Sequence, residues 1–250
     1  IFLVLGFALS EYPFVLHAFG FAGSSGNPNP NPLGLLIAAL IAAAVDKGWR
    51  GPLALLASMV RVRVPPQLWF AAIAIPMIAL AVALAAAQAR GIDIALPRPQ
   101  WSDLLDRFLI GFLFVALGEE PAWRGFLQPV LQRRLPPFVA SLGLAAIWGA
   151  WHFPLMGTEF AWSVVPAFLA SVVAAAVVLA WLYNASRSVL LPMLTHAAIN
   201  TAGAGYAFHA IAPDRFVEFW WIYAAAWTAI ALCLAVLTLG RLGAGTAAAT

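Results

Sequence analysis

Charge is scarce in this sequence. Asp, Glu, Lys and Arg make up 9% of its 250 residues, against about 25% in an ordinary soluble domain. Too few polar side chains remain to cover a water-exposed surface, so a soluble fold is excluded. Cysteine is nearly absent as well. The single Cys233 rules out an intrachain disulfide and a structural zinc site built from several thiolates. The basic residues form no dense block, which argues against a nucleic-acid partner. The zinc-helix spacing HExxH does not occur. No internal repeat is visible, and many secondary transporters are built on one.

Apolar residues are abundant. Hydrophobic side chains are 64% of the chain, and the mean hydropathy is +0.92. Lipid must therefore be the solvent for much of it. A helix needs about 20 apolar residues to cross a bilayer. Candidate segments lie near 1–22, 33–45, 67–89, 101–118, 137–153, 161–183, 189–206 and 217–239. The expected fold is all-α: one polytopic transmembrane helical bundle of about eight membrane helices over 1–250. Segment 51–64 is short and carries Arg61 and Arg63, which places it at the membrane interface. Gly23 to Pro32 and Leu96 to Pro99 read as turn-rich loops. Residues 101–134 are too long for one perpendicular span, and a break is expected at Glu119–Glu120–Pro121.

Short-loop Lys and Arg residues set orientation. In an eight-span reading Lys47, Arg50, Arg61, Arg63, Arg133, Arg134, Arg187 and Arg241 fall on one side. Arg90, Arg98, Arg107 and Arg215 fall on the other. The split of eight to four puts both termini in the cytoplasm.

Ionisable groups inside a span cost several kcal/mol unless paired or hydrated, so each one needs a reason. Three groups stand out. The first reads GEEPAWRGFLQPVLQRR from Gly118 to Arg134. Pro121 suits the first position of a new helix, with Glu120 near its N-cap. Arg124 follows Glu120 by four residues, one turn away on the same face. An ion pair accounts for Glu120 and Arg124. It leaves Glu119 without a cation at helical spacing, as a carboxylate available for general-base work.

The second group, AAIWGAWHFPL, places Trp148 and His152 four residues apart, before Pro154. A hairpin turning at Pro136–Pro137 would return His152 to the depth of the glutamates, if both arms rise at about 1.5 Å per residue. The third, LPMLTHAAINT, places His196 and Asn200 on one helical face. That pair can donate hydrogen bonds to an anion or tie helices together. A base candidate, an imidazole and two donors are the set that activates water and stabilises an oxyanion. No serine or cysteine nucleophile lies beside a base.

These motifs resemble those of the CAAX-protease and bacteriocin-processing (CPBP) family, the Rce1-like type II CAAX prenyl endopeptidases. The family's EExxxR motif is matched by Glu119, Glu120 and Arg124. Its FxxxH motif is matched at His152, with Trp148 in the aromatic position. Its histidine–asparagine motif is matched by His196 and Asn200. The three occur in the family's order within about 100–205. The resemblance implies an intramembrane endopeptidase acting on a peptide or membrane-anchored protein. By the same resemblance Glu119 and His152 would activate water, and His196 and Asn200 would hold the oxyanion. Glu120 and Arg124 would orient the site. The implied mechanism requires no metal or cofactor, although a divalent metal stays open beside it. The implied location is the plasma membrane of a prokaryote, with the site facing the cytoplasm because His196 lies nine residues after Arg187. No oligomeric state is implied.

Two other readings stand beside it. A non-catalytic membrane scaffold that regulates a partner would use the same fold. A proton-coupled transporter would also place Glu and His inside spans. Asp103, Asp106 and Arg107 read as a solvated helix start, while Glu159, Asp214, Arg215 and Glu218 read as surface groups. Trp123 and Trp151 could wall the site.

Overall fold

A computed structural model describes residues 1–20 and 29–245. Residues 21–22 of the first apolar segment and 23–28 of the first loop lie outside the described residues. Among the described residues the chain is helix and turn without a strand. Two isolated bridges occur, Ile94 with Ile211 and Met156 with Phe160.

The helices are α1 (Phe2–Ala18), α2 (Pro32–Lys47), α3 (Arg50–Met59), α4 (Pro66–Ala89), α5 (Trp101 to Gln132), α6 (Pro137–Trp151), α7 (Val165–Ser186), α8 (Leu190–Ala202) and α9 (Phe216–Leu237). Prolines open several of them, at Pro32, Pro66, Pro137 and Pro166, where a missing N–H costs nothing. Asn31 caps α2, its side chain accepting the Leu33 N–H at 3.1 Å. α7 ends on Arg187 in the left-handed conformation (φ 55°), with the Arg187 N–H on the Tyr183 carbonyl at 2.7 Å.

Three helices are long and apolar enough to cross a membrane: Pro66–Ala89, Val165–Ser186 and Pro213–Leu237. Most of the other apolar segments among the described residues form shorter helices. α8, at 13 residues, rises only about 20 Å. Its length is fixed by the turn at Arg187–Ser188 before it and by Gly203 after it. Of the eight expected spans, three are single long apolar helices among the described residues.

α5 corrects a second expectation. No break occurs at Glu119–Glu120–Pro121. Pro121 keeps helical backbone angles (φ −60°, ψ −37°), and Glu120 sits inside the rod rather than at an N-cap. The rod instead changes register. Trp101–Ile110 is α-helical, Gly111–Ala116 is π-helical, Leu117–Glu120 is α-helical, Pro121–Leu127 is π-helical and Gln128–Gln132 is α-helical. A proline inside an α-helix loses one hydrogen bond and collides with the carbonyl four residues back. The wider π turn starting at Pro121 relieves that collision without ending the helix.

α7 is the central helix, buried along most of its length and packed against α6, α8 and α9. α4 and α9 present broad apolar faces outward, among them Phe70, Ile78, Val82, Trp221, Leu232 and Val236. α2 lies against α1, α3 and the middle of α5. It comes close to α5 at Gly118, where a Cβ would stand 2.4 Å from the Pro32 carbonyl carbon. Only glycine fits before the glutamate pair.

Several basic residues gather at two ends of the bundle. At one end Arg133 pairs with Asp46, the Ser188 hydroxyl bonds the Arg61 carbonyl, and Lys47 and Arg187 line one pocket with Arg133. At the other end Arg90 and Arg215 share Glu218.

Candidate active site

α5 supplies the carboxylates, α6 the Trp148–His152 pair and α8 His196 and Asn200. The hairpin of α5 and α6 forms as the prolines suggested. It sets Glu119 level with Trp148 rather than His152, one turn nearer the hairpin. The Trp148 indole Nε1 donates to Glu119 Oε2 at 2.7 Å, and Trp123 Nε1 donates to the same oxygen at 3.2 Å. Glu119 is 2% exposed. Its Oε1 takes no hydrogen bond from the protein among the described residues.

Glu120 is fully buried and anchors a second cluster on its Oε1. Arg124 Nη1 donates there at 2.9 Å, and His196 Nδ1 lies 2.7 Å away. The Arg124 guanidinium also stacks over the Trp148 ring, 4.3 Å from its centre. Glu120 Oε2 and the Nε and Nη2 of Arg124 have no hydrogen-bond partner among the described residues. Burying such ions is costly, and mutual pairing offsets much of that cost. Removing one partner would leave the others exposed to the full penalty.

His152 closes α6. Its Nδ1 lies 2.7 Å from the Trp148 carbonyl. A carbonyl can only accept, so Nδ1 carries the proton and Nε2 presents a lone pair. The ring is held edge-on by Trp151 and Phe168, with centroids 5.1 Å away in each case. Trp151 is fixed in turn by its indole N–H, which donates to Ser10 on α1 at 2.7 Å.

His152, His196 and Asn200 line one cavity of about 110 Å³, together with Trp148 and a set of aromatic and apolar side chains from α7 and α9. Glu119 does not reach its wall; Trp148 stands between. The lining comes from the ends of α6 and α8 and the first halves of α7 and α9. The cavity therefore lies in the half of the bundle away from Lys47, Arg133 and Arg187. The expected opening was toward the basic side, whereas these lining residues gather at the opposite ends of their helices. From Leu190 to His196 α8 rises about 9 Å.

Among the described residues no three His, Cys, Asp or Glu side chains are arranged to hold a metal ion. Trp123 and Ser10 are the contributors that the motifs did not name. The four-residue spacing from Glu119 to Trp123 was the available signal for the first. Ser10 lies 141 residues from Trp151, and nothing local marks it. Asp103, Asp106 and Arg107 are exposed at the start of α5, as a solvated helix start requires.

Residues 100–202 match the family model of the Rce1-like type II CAAX prenyl endopeptidases. That stretch contains all three motifs, and the family is one of proteases. No curated protein matches the chain.

Proposed function

From the match of residues 100–202 to the Rce1-like type II CAAX prenyl endopeptidase family model, we propose that this chain is an intramembrane endopeptidase of the CAAX-protease and bacteriocin-processing type. It hydrolyses a peptide bond in a peptide or membrane-anchored protein. The observation that carries the reading is the convergence of His152, His196 and Asn200 on one cavity, with the Glu119 carboxylate directly behind Trp148.

A water held by the His152 Nε2 lone pair gives up a proton, with Glu119 as the accepting carboxylate. Glu119 reaches it once the Trp148 indole swings aside or a water relays the proton. The hydroxide adds to the scissile carbonyl carbon, and the oxygen of that carbonyl takes the negative charge. Asn200 donates its amide N–H to that oxygen. His196 donates Nε2–H when its ring is held as imidazolium by Glu120. The proton returns to the amide nitrogen as the C–N bond breaks. Arg124 and Glu120 hold His196 in place. This chemistry requires neither metal nor cofactor.

The chain sits in the plasma membrane of a prokaryote as a multi-pass protein. With its basic end in the cytoplasm, the cavity lies in the outer half of the bilayer. Reporter fusions after Lys47 and after Arg98 should report opposite sides of the membrane.

The test is cleavage of a peptide library by the purified protein. Glu119→Gln should lower turnover by about 10²–10⁴-fold while leaving the melting curve unchanged. Full activity in that variant sinks the assignment of the base. A regulatory scaffold is the second reading, favoured by the seclusion of Glu119 behind Trp148. Rescue of a deletion phenotype by the Glu119→Gln/His152→Ala double variant would favour the scaffold over the enzyme.

A further inference from the structure

The basic end of the bundle holds a pocket that the peptidase reading does not use. It has a volume of about 260 Å³ and lies between α2, α3, α5 and α7. Lys47, Arg133 and Arg187 line it, with Asp46 as the one acidic group in its wall. Asp46 is already engaged by Arg133, whose Nη1 donates to it at 3.0 Å. Arg133 holds the Asp46 carboxyl below the usual carboxylate range. The side chains of Lys47 and Arg187 make no hydrogen bond or ion pair of 4.0 Å or less among the described residues. The pocket therefore carries excess positive charge on its wall.

A second observation points to a ligand. Tyr183 is 7% exposed and lines this pocket. Its hydroxyl makes no hydrogen bond among the described residues. Arg187 and Arg61 both stand within electrostatic range of that hydroxyl. A buried phenol under the influence of two guanidinium groups has a donor to offer and no hydrogen-bond acceptor among the described residues. Phosphate oxygens would supply the acceptor and the negative charge together. The backbone supports the arrangement. Arg187 occupies the left-handed position after α7, which glycine commonly fills, so a charged side chain is kept at the pocket mouth.

Depth selects the ligand further. Arg187 follows directly on the last residue of a helix long enough to span the bilayer. The pocket thus sits where hydrocarbon gives way to headgroups, and basic pockets between helices at that level recognise anionic lipid headgroups. We infer that the pocket bounded by Lys47, Arg133, Tyr183 and Arg187 binds a phosphate group, supplied by an anionic phospholipid or by soluble phosphate. This site is separate from the candidate active site and stands whether or not the chain is a peptidase.

The test is native mass spectrometry of the full chain in neutral detergent, titrated separately with dioleoyl phosphatidylglycerol, dioleoyl phosphatidylcholine and inorganic phosphate. The expected result is preferential binding of phosphatidylglycerol over phosphatidylcholine. Arg187→Gln should weaken it about fivefold. Tyr183→Phe, which keeps the ring and its packing, should weaken it about threefold. Arg63→Gln changes a basic residue at the same end that does not line the pocket, and should leave binding unchanged. Inorganic phosphate bound with the same two sensitivities, without phosphatidylglycerol, would support the same site with a soluble ligand. Equal losses in Arg63→Gln and Arg187→Gln would overturn the inference, because they would report diffuse surface charge. Indifference to Tyr183→Phe and Arg187→Gln, or no binding of either ligand, would overturn it too.

Discussion

Trp148 donates its indole N–H to Glu119 at 2.7 Å and offers its ring face to Arg124 at 4.3 Å. One side chain thus holds the carboxylate of one cluster and the cation of the other. Trp148→Phe keeps an aromatic face and removes the N–H. Trp123 remains to serve Glu119 Oε2, so the protein should fold, with a stability loss of about 1–3 kcal/mol for the lost charged hydrogen bond. Thermal unfolding in detergent measures it. A larger share of Glu119 would face the cavity, and a shifted pH–activity profile beside near-normal folding is the expected signature.

Arg124→Lys keeps the charge and loses both the planar stacking on Trp148 and the Nη1 hydrogen bond that Glu120 accepts. His196 would then share Glu120 with a poorly placed ammonium. Activity is expected to fall at least tenfold, from about 1–2 kcal/mol of lost stacking and pairing. Turnover of a cleaved library peptide reads it, and activity equal to the parent would show that Arg124 holds nothing the reaction uses.

Gly118→Ala would place a methyl group into the Pro32 backbone. The neighbour is main chain at a helix start and cannot rotate away. A loss of about 1–3 kcal/mol is expected, seen as a lower melting temperature with α2 loosened from α5. An unchanged melting temperature would mean that α2 slides freely along α5.

The Asp46–Arg133 pair gives a pH dependence. Arg133 lowers the Asp46 pKa in the folded protein, so the carboxylate binds its proton less readily folded than unfolded. Its stabilisation is present above the usual carboxylate range and disappears as pH falls through the lowered value. Asp46→Asn should melt slightly below the parent at neutral pH and converge with it in strong acid. The pair is solvent-exposed, so added salt should shrink the difference. A gap that widens in acid would contradict the assignment.

The sequence made the helical class plain, because an apolar run with scattered charges has no other way to satisfy its backbone in lipid. It also made the site residues plain, since polar side chains inside apolar runs announce themselves. Glu119, Glu120, Arg124, His152, His196 and Asn200 need no structure to be noticed. What they touch was not legible. That Trp148 rather than His152 meets Glu119 depends on the register of two arms, one of which contains π turns. No residue pattern marks a π turn in advance; Pro121 read as a helix start and proved to be an interior residue. Ser10 escaped for a different reason, since a serine in an apolar helix looks the same whether it faces lipid or a tryptophan from 141 residues away. The helix lengths were not legible because hydropathy records where lipid is tolerated. It does not record where a helix stops, and α8 stops at 13 residues.

The two π stretches of α5 govern the angular phase of the chain. Each α-helical residue advances the side-chain direction by about 100°, and a π turn absorbs one residue more than an α turn. The segment Leu117–Glu120 is bracketed by two such turns. Its carboxylates are thereby aimed independently of the helix before and after them. Deleting Gly125, Phe126 or Leu127 would leave every motif letter in place. It would also rotate Gln128, whose Nε2 donates to Asn184 Oδ1 at 3.0 Å, and Arg133 by roughly a quarter turn relative to the glutamates, so that pairing with Asn184 and Asp46 could be kept only by turning Glu119 away from Trp148.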